Sequence, residues 1–185
     1  MNNDRQCVIS LHKPSRQELI FFFSCGILLS FPFALFFSQT YSFFPYALAL
    51  IVIGPFVEEL AKVFPIFYRH GETERSYVTI GALIGLGFGI SELALYVFFL
   101  GAPLISRVPG VIFHSSSASI TAYGIAKKNP LPYYLIAVML HITINFFAYE
   151  NVLSIGFLAY LAALVVAYLL AWNFYQKASK EKMVV

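Results

Sequence analysis

Two adjacent glutamates and a lysine stand in the run Gly54-Pro55-Phe56-Val57-Glu58-Glu59-Leu60-Ala61-Lys62, within an otherwise apolar stretch. On a helix Lys62 follows Glu58 by four residues and Glu59 by three, so its ammonium can neutralise either carboxylate. The other carboxylate is then free to act as a base toward water. Taken alone, the triplet also reads as an interhelical salt bridge without chemistry. Pro55 cannot donate a helical bond to the carbonyl of Ile51, so with Gly54 before it the helix should kink or open one turn before the carboxylates. The freed carbonyl then needs water or a polar partner.

Four more residues carry chemistry. His141 and Asn145 are four apart, one above the other on a helix, and such a pair can hold a water or donate to an oxygen on which negative charge develops. It serves equally as an interhelical hydrogen-bonding pair. His114 precedes Ser115, Ser116, Ser117 and Ser119. Adjacent helical residues point to different faces, so a Ser115 nucleophile activated by His114 is disfavoured, and His114 reads as a water ligand or base. Glu92 closes a stretch in which Gly81, Gly85 and Gly89 recur every fourth residue, a pattern that lets two helices approach closely and would bring Glu92 against the second or fourth helix.

The elements that position these groups are helices in a bilayer. The chain has 185 residues, 59% apolar and 11% charged, with a mean hydropathy of +0.77. A soluble domain carries about a quarter charged residues, so an ordinary soluble globule is excluded. Six apolar segments follow one another with short connections: 18–38, 45–68, 77–100, from Pro103 or Pro109 to 126, 132–149 and 152–175. Each approaches the roughly 20 residues needed to span a bilayer. The first is opened by Ser15-Arg16-Gln17-Glu18, with capping-box spacing. It is too long for a signal-peptide core and reads as a retained span. Cys7 in the tail and Cys25 within this span suggest no disulfide.

Lysine and arginine are asymmetrically placed. Arg5, Lys13, Arg16, Arg69, Arg75, Lys127, Lys128, Lys177, Lys180 and Lys182 fall on one side, and only Arg107 on the other. The positive-inside rule then puts both termini in the cytoplasm and requires an even number of spans. A net charge of +3 spread over short connections offers no surface for nucleic acid. The expectation is one all-α, polytopic membrane domain, with tails at 1–17 and 176–185, six helices over 18–175, and a four-helix catalytic core from helices 2–5.

Depth argues for a shared site. Glu58 lies eleven residues before Arg69, Glu92 fifteen after Tyr77, His114 twelve before Ala126 and His141 ten after Leu131. At about 1.5 Å per helical residue, all four sit roughly 15–22 Å from the cytoplasmic edge. A charge at that depth costs roughly 3 kcal/mol or more and is normally turned toward partners or water.

In these residues the sequence resembles the PrsW family of intramembrane proteases, within the superfamily that includes the type II CAAX prenyl endopeptidases. The shared elements are Glu58-Glu59-x-x-Lys62, Phe88-x-x-x-Glu92, His114 and His141-x-x-x-Asn145, spanning about half the chain, 54–145. One departure is Leu93, where the family pattern has Asn. The resemblance implies a glutamate-type endopeptidase acting on a membrane protein, such as a single-span anti-sigma factor. Glu58 would be the general base, helped by His114 or Glu92, while His141 and Asn145 would stabilise the oxyanion. A metal-free reaction is favoured. Zinc held by Glu92, His114 and His141 is the metallo-type alternative, although no His-Glu-x-x-His pattern is present. From a different class, a proton- or cation-coupled transporter would also bury Glu, His and Lys at the midplane. The chain has no visible internal repeat of the kind many carriers show.

Overall fold

The computed structural model describes residues 14–68, 73–149 and 155–184. Among these the chain is helical, with a single isolated bridge between Thr73 and Met183 and no strand. We number the helices α1 (Arg16–Phe43), α2 (46–68), α3 (Glu74–Phe99), α4 (Leu104–Ala126), α5 (Pro130–Tyr149) and α6 (Ile155–Lys177). Four stretches are long and apolar enough to cross a membrane: Arg16–Phe43, Glu74–Phe99, Pro130–Tyr149 and Gly156–Lys177. Large apolar side chains such as Phe36, Phe43, Phe98, Phe99 and Ile105 point outward, as they do in a protein solvated by lipid. This marks the chain as a membrane protein. In α2 and α4, the charged triplet and the serine-rich run lower the apolarity.

Local chemistry sets the helix ends. At α1 the capping box forms as its spacing predicts: Glu18 N–H donates to Ser15 Oγ at 3.3 Å and Ser15 N–H to Glu18 Oε2 at 2.7 Å. Helix α3 starts at Glu74, three residues before the expected Tyr77, because Thr73 caps it by accepting from Ser76 N–H at 3.2 Å. Of the two expected starts for α4, the first holds, and Pro109 is accommodated inside the helix. Helix α4 ends in a Schellman turn, with Asn129 N–H on Gly124 O at 3.0 Å, Lys128 N–H on Ile125 O at 2.9 Å, and Lys128 at φ 56°. Helix α5 begins at Pro130, two residues before the expected Pro132, since proline suits a first helical position. The expected start of the sixth segment at Val152, and Arg5, Cys7, Lys13 and Arg69, lie outside the described residues.

The segment after α6 docks against the start of α3. Glu74 N–H donates to Lys182 O and Arg75 N–H to Ser179 O, both at 3.0 Å. The Glu74 carboxylate receives Lys127 Nζ at 2.6 Å and Ser179 N–H at 3.0 Å. That hydrogen bond holds the Lys127 ammonium above the usual lysine range.

Helices α3 and α4 make the most extensive contact in the molecule, and glycine makes it possible. A Cβ on Gly85 would lie 2.1 Å from the His114 carbonyl oxygen, one on Gly81 2.5 Å from Ala122 Cβ, and one on Gly89 2.8 Å from Val111 Cα. The four-residue glycine repeat is therefore a packing face. On the opposite face of α3, Gly87 lies against the Phe23 carbonyl of α1. Helix α3 is held between α1 and α4, which fixes the depth of Glu92 relative to His114. Gly85→Ala should cost about 3 kcal/mol by overpacking, and Gly110→Ala, with nothing within 4 Å, should not reduce stability. Thermal unfolding of the two variants in detergent checks this.

Candidate active site

Helix α2 carries Glu58, Glu59 and Lys62 on its α-helical stretch Gly54–Val63. Lys62 and Glu59 are both 0% exposed. Lys62 Nζ reaches Glu59 Oε1 at 2.5 Å, His114 Nδ1 at 2.9 Å and Ser117 Oγ at 3.0 Å. An ammonium has three protons and no lone pair, so it donates in all three contacts. The rings of Phe88 and Phe113 flank it, their centroids 5.3 and 5.7 Å from Nζ. Of the two glutamates, Glu59 is the one Lys62 neutralises.

These contacts dictate the histidine tautomers. Because Lys62 donates to His114 Nδ1, the neutral ring carries its proton on Nε2 and donates it to Glu92 Oε2, 2.5 Å away. The other Glu92 oxygen accepts from Arg107 Nη2 at 3.0 Å, and the guanidinium stacks 3.6 Å over the Tyr96 ring. His141 Nδ1 lies 2.8 Å from Glu59 Oε1, where an ionised carboxylate requires a donor. The neutral His141 ring therefore keeps a lone pair on Nε2, which faces Glu58 Oε2 at 3.7 Å. The result is a chain, Glu58, His141, Glu59, Lys62, His114, Glu92, Arg107, drawn from α2, α3, α4 and α5.

Three carboxylates here face two permanent cations, and Glu58 has no cation of its own among the described residues. Glu59 Oε2 is buried without a partner among them. A cavity of about 610 Å³ opens beside the chain, lined by Glu92, Arg107, His114, His141 and Asn145 and walled by Phe113, Ile144, Phe157, Tyr160 and Leu161. Helix α6 thus contributes a wall. As a metal site, the side chains that converge are Glu58, His114 and His141, with ligand atoms within 4.8 Å of one another. The set Glu92, His114 and His141 is less suited, since both Glu92 oxygens are engaged. His114 joins either set only by giving up its Nε2 proton and its bond to Glu92, with the Lys62 ammonium on its other nitrogen. The donors as arranged do not fit a metal without that rearrangement.

The proline in α2 follows a π-helical turn. Residues Ala49–Ile53 wind as a π-helix, and Gly54 N–H bonds to Ala49 O five residues back. In that register Pro55 also leaves the carbonyl of Leu50 without a helical donor. Asn145 supplies the polar partner, its Nδ2 donating to Leu50 O at 3.0 Å. Tyr134 Oη donates to Phe56 O at 2.8 Å, so α5 grips α2 through two carbonyls. One Asn145 N–H is committed to structure, and the second remains for the cavity.

The hydroxyl run behaves as packing. Ser115, Ser116, Ser119 and Thr121 each donate to a backbone carbonyl. Ser117 also accepts from Lys62, a role signalled only by its position three residues after His114 on the same face. Arg107, which a start at Pro109 would leave in a connection and a start at Pro103 would not, closes the first turn of α4 and pairs with Glu92. Its signal was a spacing of seven residues, two helical turns, before His114.

Removing one member of the buried pair leaves an uncompensated charge, so Lys62→Met should cost about 3–5 kcal/mol of stability. Adding Glu59→Gln to that variant should recover most of the loss, as equilibrium unfolding of the single and double variants would read out. Comparison of the chain with known protein families, with curated proteins and with solved structures finds no match.

Proposed function

We propose that the protein is an intramembrane endopeptidase of the PrsW type, in which Glu58 activates water for attack on a peptide bond of a membrane-protein substrate. The observation that carries this reading is the division of labour among the carboxylates. Glu59 is committed to Lys62 and His141, and Glu92 to His114 and Arg107, while among the described residues the ion partner of Glu58 is the Nε2 lone pair of His141 at 3.7 Å. A water donating to Glu58 Oε2 and His141 Nε2 turns its own lone pair outward. As its oxygen bonds to the carbonyl carbon, Glu58 takes its proton. The second Asn145 N–H donates to the oxygen that becomes negative. Glu58 then returns the proton to the departing nitrogen as the C–N bond breaks. His141 in this tautomer holds water instead of donating to the oxyanion, the role implied by the resemblance.

The apolar wall of Phe113, Ile144, Phe157 and Leu161 suits the side chains of an unwound membrane segment, such as one from a single-span regulator. We place the protein in the cell membrane with six spans and both termini cytoplasmic. This is supported by six successive helices and by the gathering of Glu74, Lys127 and Lys182 at one end.

Cleavage of labelled single-span segments by the protein in liposomes tests the reading. Glu58→Gln should abolish turnover and leave the unfolding temperature within a few degrees of wild type. Asn145→Ala should slow turnover roughly 100-fold and lose about 1 kcal/mol with the Leu50 bond. A chelator should leave the rate unchanged, and so should dissipation of a proton gradient. Gradient-driven uptake without cleavage would instead indicate a transporter.

A further inference from the structure

Buried tyrosine hydroxyls are normally hydrogen-bonded, because an unpaired one carries its full desolvation cost. Tyr41, near the end of α1, departs from this: its hydroxyl is buried and has no partner among the described residues. It lies against Gly54 of α2, 3.4 Å from where a Gly54 Cβ would stand. Gly54 is one helical turn before Glu58, and Leu50 is four residues before Gly54. The facing helix α5 presents Asn145 to Leu50 and His141 to Glu58. The Tyr41 hydroxyl therefore lies beside this stripe at the turn of Gly54, one helical turn before the proposed base. The Glu58 carboxylate is within electrostatic reach of it.

We infer that Tyr41 is a further catalytic residue, whose phenolic hydroxyl donates a hydrogen bond to the substrate carbonyl oxygen as that oxygen becomes negative. The inference rests on the hydrolytic reading above. His141 has its Nδ1 proton on Glu59 and a lone pair on Nε2, so the neutral ring has no proton for the oxyanion. Asn145 has one N–H to offer, the other being held by Leu50. Two donors are wanted on a tetrahedral oxyanion, and Tyr41 supplies the second from a third helix. The proton stays on the phenol throughout. The electron pair of the carbonyl moves to oxygen as water adds to carbon, the water proton goes to Glu58, and it leaves with the amine nitrogen when the C–N bond breaks. An unpaired hydroxyl in the resting protein is what such a role needs, since no bond must be broken before the transition state forms.

Tyr41→Phe removes only the hydroxyl. With labelled single-span segments in liposomes, kcat should fall roughly 100-fold with KM unchanged within about twofold, and the unfolding temperature should stay level or rise. A wild-type kcat in Tyr41→Phe, alongside a wild type that cleaves and a Glu58→Gln that does not, would overturn the role of Tyr41 and leave the hydrolytic reading standing. A lowered unfolding temperature with proportionate loss of both kinetic constants would also overturn it, by showing a structural hydroxyl. Absence of cleavage by the wild type across the segments would remove both the hydrolytic reading and this inference.

Discussion

Everything at the centre of this protein depends on one ammonium group. Lys62, with no exposed surface, donates to a carboxylate, an imidazole and a hydroxyl from two helices, and each donation settles the state of its acceptor. Glu59 is ionised because Lys62 is beside it. His114 carries its proton on Nε2 because Nδ1 is occupied, and that proton falls on Glu92. His141 turns its lone pair to Glu58 because its own proton goes to Glu59. A low-dielectric interior makes each of these contacts strong and leaves few alternatives, so one cation propagates its preference across four helices. The desolvation of that cation is the cost, offset by three aligned acceptors and two aromatic faces.

The second constraint is the missing amide proton of Pro55. A backbone carbonyl kept from water needs a polar partner, so the defect is answered by another part of the protein. Asn145 answers it at Leu50, and Tyr134 binds the nearby Phe56 carbonyl. The two bonds tie α5 to α2 and set His141 opposite Glu58. A residue type read from sequence as chemistry is thus also the fastener that aligns the chemistry, and the π-helical turn at Ala49–Ile53 leaves the defect where the asparagine reaches it.

Much of the architecture was legible from periodicity and punctuation. Apolar runs, the Ser15 capping box and the Asn129-Pro130 break locate the helices to within a few residues, because these signals are local. The convergence of Glu58, Glu92, His114 and His141 is what their common depth suggests. What escaped was set by helix rotation and register. Glu58 and Glu59 are both within reach of Lys62 in one dimension, and only the packing of α2 against α4 and α5 decides between them. That the Leu50 carbonyl is left for Asn145 arises from a π turn that no residue type announces. Arg107 was left undecided because the sequence allows α4 to start at Pro103 or at Pro109, and its place in α4 follows from Pro109 being absorbed into the helix.

The glycine contact between α3 and α4 has a mechanical consequence. Two helices that touch backbone to backbone have no side chains between them to repack, so that seam cannot widen by small rotamer changes. The α5 and α6 side is different: Ile144 packs there with Ala163 and Ala167, bordered by Leu140, Tyr160 and Leu164, through side chains that can slide. The molecule therefore has a stiff half and a compliant half, with the cavity on the boundary between them. The cavity therefore has one wall built on backbone contact and one built on side-chain packing. Glu92 and His114 stand on the stiff side, and His141 and Asn145 on the side that side-chain packing holds.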